Sequence, residues 1–311
     1  MKTKNIKVAL GLASLLSMST VNASIIDIST SADAAFDDVL TSVSAADQAL
    51  PGDNRSVSAS VFGFGYGASA SGNKSGQFFV NSSVNTSGSS FAEYQQTFNV
   101  LNNTGITQAY EFDFEILGGG LSVGCDTGDG DGEFPGPIDV ATVENGFDAL
   151  SDVVFVGDAC AGVSLVSSYN ASIALNGVEI WNSLAALSYD SIFGANLVTD
   201  GETLGTYLPG ANNYFWNTFS STEALGELLD GESFELTYTV TSESFAVSLF
   251  PGIGGGDDEI SPFFAFTGFG DPTGIGANAI RTVQVNNVNS PLLGMFGLLG
   301  VFSLLAFRRS K

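Results

Sequence analysis

The sequence predicts an all-β chain, an antiparallel β-sandwich of jelly-roll-like form, and three features predict it. Stretches of period-two alternation recur, such as Tyr110, Phe112, Phe114 and Ile116 set against Glu111, Asp113 and Glu115. Turn formers punctuate them, among them Asn102-Asn103-Thr104-Gly105, Asn176-Gly177, Asp230-Gly231 and Gly270-Asp271-Pro272, in a chain holding 38 glycines. No segment repeats at a fixed period, which sets aside solenoids and propellers. Many short strands with one wet face each need a second layer to cover the dry one.

Both ends stand apart from that body. Lys2, Lys4 and Lys7 precede an apolar stretch from Val8 to Leu16 and the small-residue site Val21-Asn22-Ala23. This is the layout of a secretory signal peptide over residues 1–23. At the other end, Val288-Asn289-Ser290-Pro291 leads into an uncharged apolar run, Leu292 to Phe307, closed by Arg308-Arg309-Ser310-Lys311. At about 1.5 Å per residue such a helix reaches roughly 24 Å, the short end of what crosses a bilayer. Pro291 suits a first helical turn, and the basic end stays in the cytoplasm by the positive-inside rule. The chain therefore divides into a signal peptide (1–23), an acidic β-sandwich (24–287) and a C-terminal segment (288–311) with a hydrophobic transmembrane helix over 292–307.

The segment 288–311 resembles the PEP-CTERM class of sorting signals, with its proline-bearing motif, hydrophobic helix and basic end. Only the last proline of the usual Pro-Glu-Pro is present, as Asn289-Ser290-Pro291. The resemblance implies recognition of Val288, Asn289, Ser290, Pro291, Arg308 and Arg309 by an exosortase-like membrane enzyme. It also implies transient anchorage in the inner membrane, then delivery to the cell surface or an extracellular matrix. An ordinary C-terminal anchor that is never cut is the alternative. Thr97 to Gly105 and Leu225 to Thr239 are also similar to the β-rich bodies of exported proteins of this class.

Charge narrows the partners. The chain carries 33 acidic and nine basic residues, a net charge of −24, and no histidine. Six of the nine basic residues lie in the two end segments, which hold no acid. The body keeps only Arg55, Lys74 and Arg281, for a net charge of −30 (3 against 33). A surface like this repels phosphate backbones, so nucleic acid is excluded as a partner. Two cysteines, Cys125 and Cys160, in an exported chain read as one disulfide.

In chain order, Ser24 to Thr30 reads as a first strand, and residues 31–50 fit either a short amphipathic helix or a loose acidic segment. Pro51-Gly52-Asp53-Asn54 is a turn. From Val57 to Ala70 the occupied face switches: Val57, Ala59 and Val61 share one side, then Phe62, Phe64 and Tyr66 take the other, opposed by glycines. A bulge or a strand crossing between sheets would explain that. Ala92, Tyr94, Phe98 and Val100 are expected to form a hairpin with Tyr110 to Ile116. A second hairpin runs from Ala171, Ile173 and Leu175 through Asn176-Gly177 to Val178 and Ile180. Phe234, Leu236, Tyr238 and Val240 alternate with polar residues, and Phe263, Ala265 and Phe269 suggest a last strand.

Candidate chemistry is sparse. Without histidine there is no Ser-His-Asp triad, no Cys-His pair and no histidine-ligated zinc. Asp126-Thr127-Gly128 has the tripeptide of aspartic proteases, but no second copy supplies the partner carboxylate. Asp126, Asp129, Asp131 and Glu133, spaced by glycines, crowd hard oxygens on a pliable backbone and so suit Ca²⁺. The alternative is a solvated acidic loop. Trp181, Tyr214 and Trp216 are candidates for stacking on sugars, against the simpler reading that they fill the core. A pair of carboxylates for glycoside hydrolysis cannot be picked from 33 acids. The reading these residues support is a non-enzymatic structural protein of the cell surface or of an extracellular polysaccharide matrix. The alternatives are a glycan-binding module and a carbohydrate-active enzyme.

Overall fold

The computed structural model describes residues 23–36, 39–49, 56–63, 65–73, 76–125, 162–248, 263–270 and 279–283. All regular elements among them are antiparallel strands, apart from one 3-10 turn at Pro209–Ala211. In order they are β1 (Ala23–Phe36), β2 (Val39–Ala49), β3 (Ser56–Gly63), β4 (Tyr66–Asn73), β5 (Phe78–Val84), β6 (Gly88–Leu101), β7 (Gln108–Ile116), β8 (Gly119–Cys125) and β9 (Val163–Leu175). There follow β10 (Val178–Asp190), β11 (Gly194–Gly201), β12 (Thr206–Leu208), β13 (Asn213–Trp216), β14 (Phe219–Leu228), β15 (Ser233–Ser248), β16 (Phe263–Gly270) and β17 (Ala279–Val283).

One layer is a seven-stranded sheet, ordered β11-β10-β9-β15-β6-β1-β2. The other is made of two sheets, β12-β13-β8-β16-β5-β4-β3 and β14-β7-β17. The order β13-β8-β16 in one recurs as β14-β7-β17 in the other, so the same three stretches of chain serve both. The second layer is thus bent across its width, and both halves cover the same face of the first. Even-numbered residues of the long strands β6 and β15 supply that face. Tyr94 stacks on Phe78 of the larger half at 5.4 Å between ring centroids, whereas Phe98 meets Phe112 of the smaller half edge-on at 5.6 Å.

The bend lies at the glycine run 118–120. A Cβ on Gly119 would sit 2.4 Å from the Gly268 carbonyl oxygen and 2.5 Å from the Trp216 ring. Only glycine lets these backbones approach so closely. Trp216 Nε1 donates to the Leu117 carbonyl at 3.1 Å and ties the two sides of the bend together.

The core changes character along its length. Beneath the smaller half it is aromatic: Phe112, Phe114, Tyr238 and Trp181 meet in edge-on and tilted pairs. Each such pair contributes about 0.5–1.5 kcal/mol beyond simple burial. Beneath the larger half a second aromatic cluster, Tyr169, Tyr214 and Trp216, lies under β13, and beside the Phe78–Tyr94 stack the core under β4 and β5 is built largely of small residues. Ala32, Ala92 and Ala246 face Ala68, Ala70 and Val80, and serines bridge the layers. Ser82 and Ser244 meet there, and Ser167 Oγ donates to the Phe266 carbonyl and lies 2.7 Å from Thr267 Oγ1.

Several expectations are corrected. Residues 31–36 and 39–49 are strand, the end of β1 and the whole of β2. The face switch from Val57 to Ala70 is a hairpin: Phe62 pairs with Gly67 and Gly63 with Tyr66, and Gly65 takes a φ of +78°. Each ring lies over the glycine of its pair, closing space that no side chain fills. The strands around Asn102–Gly105 have the expected inner faces but are not neighbours. β6 pairs with β1 and β15, while β7 pairs with β14 and β17 across the sandwich. The turn arches between layers because buried Asn102 donates through Nδ2 to the carbonyls of Ile106 (2.8 Å) and Leu228 (2.9 Å). The Asn176-Gly177 hairpin forms as expected, with φ of +51° and +77° at its two turn residues. Val178 and Ile180, however, are exposed, Val178 at the hairpin end and Ile180 as the extra residue of a bulge between Glu179 and Trp181.

Candidate functional site

The residues singled out for chemistry are distributed as follows. Cys125 ends β8, is fully buried and is disulfide-bonded. Cys160 lies outside the described residues, as do Asp126, Asp129, Asp131 and Glu133 of the cation-loop expectation and Val288, Asn289, Ser290, Pro291, Arg308 and Arg309 of the tail. The hydrophobic helix expected over 292–307 lies outside them too. Among the described residues no group of three or more acidic, cysteine or histidine side chains is placed to hold a metal.

Tyr214 and Trp216 belong to the core. They are 1% and 3% exposed, and Trp216 packs against Tyr169 at 4.8 Å between ring centroids. Tyr214 OH accepts from the Gly205 N–H at 2.8 Å. Neither offers a ring face to a sugar. Trp181 is half-buried between Phe114 and Phe219. Among the described residues the most exposed aromatics are Phe62 and Phe193, at 71% and 88% exposure. Both sit at hairpin tips, and the turn signals beside them could have marked them in the sequence.

Two concave places are lined by the described residues. One, of about 220 Å³, is lined by Ser56, Ser58, Ser71, Asn73 and Gln77 with the edge of Phe78. Asn73 Nδ2 donates to Gln77 Oε1 at 2.6 Å, so the amides are held in place. Its described lining is rich in donors and acceptors, chemistry that suits a polyhydroxylated ligand. The other, about 280 Å³ and shallow, runs along β7 and β14 past Asp113, Glu115, Ser220 and Thr222. Here Arg281 bridges Glu111 and Asp113, each at 2.8 Å, and Thr222 Oγ1 donates to Asp113 at 2.6 Å. Asp113 is thereby engaged in holding β17 and β14 onto β7.

On the outer face of the seven-stranded sheet, Glu93 has its carboxyl pushed upward by partial burial and by the neighbouring Asp33 charge. In the core, burial raises the phenols of Tyr94, Tyr169 and Tyr238 above the ordinary tyrosine range. The Tyr238 hydroxyl has no hydrogen-bond partner, nor have those of Thr30 and Ser242. Buried, neutral tyrosines of this kind are structural rather than reactive.

No protein-family model matches the chain, and no curated protein sequence matches it.

Proposed function

We propose that the protein is an exported, non-enzymatic structural protein of the cell surface or of an extracellular polysaccharide matrix, sorted through its C-terminal segment. The observation that carries this reading is where the strands lie. Among the described residues the first strand begins at Ala23, the end of the signal-peptide pattern, and the last ends at Val283, five residues short of Val288. A self-contained sandwich thus fits between two targeting patterns, and every acid of the chain falls within 24–287. In this reading the body is a jelly-roll-like sandwich stapled by Cys125–Cys160. The 292–307 helix holds it in the inner membrane until an exosortase-like enzyme acts on the tail. Deleting residues 288–311 and fractionating the cells tests it: the protein is expected to leave the surface and matrix fractions for the periplasm or medium. An unchanged surface deposit would overturn the role of the tail.

Glycan binding is the second reading, favoured by the serine- and amide-lined groove around Asn73 and Gln77. A glycan array with the exported protein and with Gln77→Ala tests it, and equal signal from both would remove the groove from consideration.

A further inference from the structure

We infer that β11 is an association edge, at which two copies of this chain join their seven-stranded sheets by antiparallel pairing of β11 with β11. Among the described strands β11 has a neighbour on one side only. Six of its eight residues are exposed, because it overhangs the layer below. The opposite edge, β2, is instead packed over β3 of the other layer. Soluble proteins usually guard such an edge with proline, lysine or a bulge. The sequence Gly-Ala-Asn-Leu-Val-Thr-Asp-Gly has neither residue, and its ladder with β10 runs without a register shift.

The edge is also complementary to itself. With Leu197 opposite Leu197 on the two-fold axis, Val198 faces Asn196, Thr199 faces Ala195 and Asp200 faces Gly194. The two Asp200 carboxylates then stand about 20 Å apart, at roughly 3.4 Å per residue. Because like charges directly opposite one another are destabilising, this register avoids the only charge the strand carries. Beyond the pairing, the hairpin tip brings Ile192 and Phe193, 82% and 88% exposed, alongside residues 201 and 202 of the second copy. The tip is fixed for this: Asp190 Oδ1 accepts from the N–H of Ile192 (2.8 Å) and of Phe193 (3.3 Å). The uncharged centre of β11 offers a basic partner nothing to pair with and selects a copy of itself.

Charge sets the conditions. A chain of net charge −24 repels itself at low ionic strength. Screening shortens from about 10 Å at 0.1 M salt to about 3 Å at 1 M, so pairing strengthens as salt is added. The test is sedimentation velocity on the exported protein at low and high salt, with hydrogen exchange of the β11 amides at two protein concentrations. We expect dimers at high salt and β11 protection that rises with concentration. Neither the double variant Asn196→Asp, Val198→Asp nor the double variant Asn196→Lys, Val198→Lys should dimerise alone, and the two mixed should form a heterodimer. These positions are exposed on an edge strand, so an unchanged circular dichroism spectrum is expected. A monomer at every salt concentration would overturn the proposal. So would concentration-independent exchange in β11, or open-ended polymers that survive the β11 changes.

Discussion

Ser82 Oγ on β5 and Ser244 Oγ on β15 lie 3.0 Å apart, on opposite layers of the sandwich and fully buried. Ser244 Oγ is also within 3.0 Å of the Ser82 carbonyl oxygen, so one hydroxyl closes the gap between two backbones. Layers separated by serine, alanine and glycine approach more closely than layers separated by leucine or phenylalanine. This contact therefore measures how thin the core is. Ser244→Ala is expected to cost about 1–2 kcal/mol, because Ser82 Oγ loses a buried partner. Ser244→Leu should cost more, since a thin core has no room for the added volume. Urea unfolding of both variants checks the order.

The bend in the second layer makes a paired prediction for glycines. Gly119→Ala places a methyl against the Gly268 carbonyl, a backbone atom that cannot swing aside, and should destabilise by more than about 2 kcal/mol. Gly210→Ala meets nothing within 4 Å and should stay within about 0.5 kcal/mol of the parent. Thermal unfolding of the two separates a requirement for close approach from a general sensitivity to glycine loss.

Partial burial and the Asp33 charge raise the Glu93 carboxyl in the folded chain above its unfolded value. The stability linked to this group is therefore present below the unfolded value and is lost as pH rises through the folded one. Near neutrality, where Glu93 is charged, Glu93→Gln should raise the melting temperature. The advantage should shrink as the pH is lowered into the carboxylate range, where the parent side chain takes up its proton. A variant whose advantage is the same at neutral and acid pH would contradict this.

The buried tyrosines report at the other end of the scale. Tyr94, Tyr169 and Tyr238 are held neutral by burial, with values raised above the ordinary phenol figure of about 10. Their contribution is whole below pH about 10 and falls as pH rises from there towards the folded values. Alkaline titration should show these phenols ionising together with unfolding, as one cooperative step in the tyrosinate absorbance. Gradual ionisation ahead of the loss of circular dichroism would show the core to be open.

Replacing Cys125 by alanine removes a disulfide at the end of a fully buried strand. With Cys160 as partner the closed loop spans about 35 residues, and the loss should be about 3–4 kcal/mol in the chain-entropy view. Peptide mapping under non-reducing conditions is expected to recover a Cys125–Cys160 cross-linked pair.

The sequence shows which face of a strand is dry far better than which strand lies beside it. Alternation in Tyr94–Val100 and Tyr110–Ile116 gives the right inward residues. The same alternation arises whether the two strands pair or face one another across a core. What decides is Asn102, whose amide turns the chain between layers, and nothing in a polar turn announces that. Asn176-Gly177 was legible because its positive φ values permit only a tight hairpin. Ile180 breaks the pattern because it is itself the extra residue of the bulge, and Val178 lies opposite Leu175 at the exposed end of the hairpin. Residues 31–36 and 39–49 carry small and acidic side chains with weak propensity, and they are strands because β1 pairs with β6 on one side and with β2 on the other. Tyr214 and Trp216 looked available because aromatics occupy both sides of β13. The second layer uses both inner positions, and Phe215 alone takes the outer one.

Mass spectrometry of the protein recovered from the cell surface or matrix tests the proposed processing of the two chain ends most directly. The expected species begins at Ser24 and ends upstream of Leu292, and in cells lacking the sorting enzyme it retains residues through Lys311. A surface protein that keeps Leu292 to Lys311 in normal cells would contradict that processing, making the tail a permanent anchor.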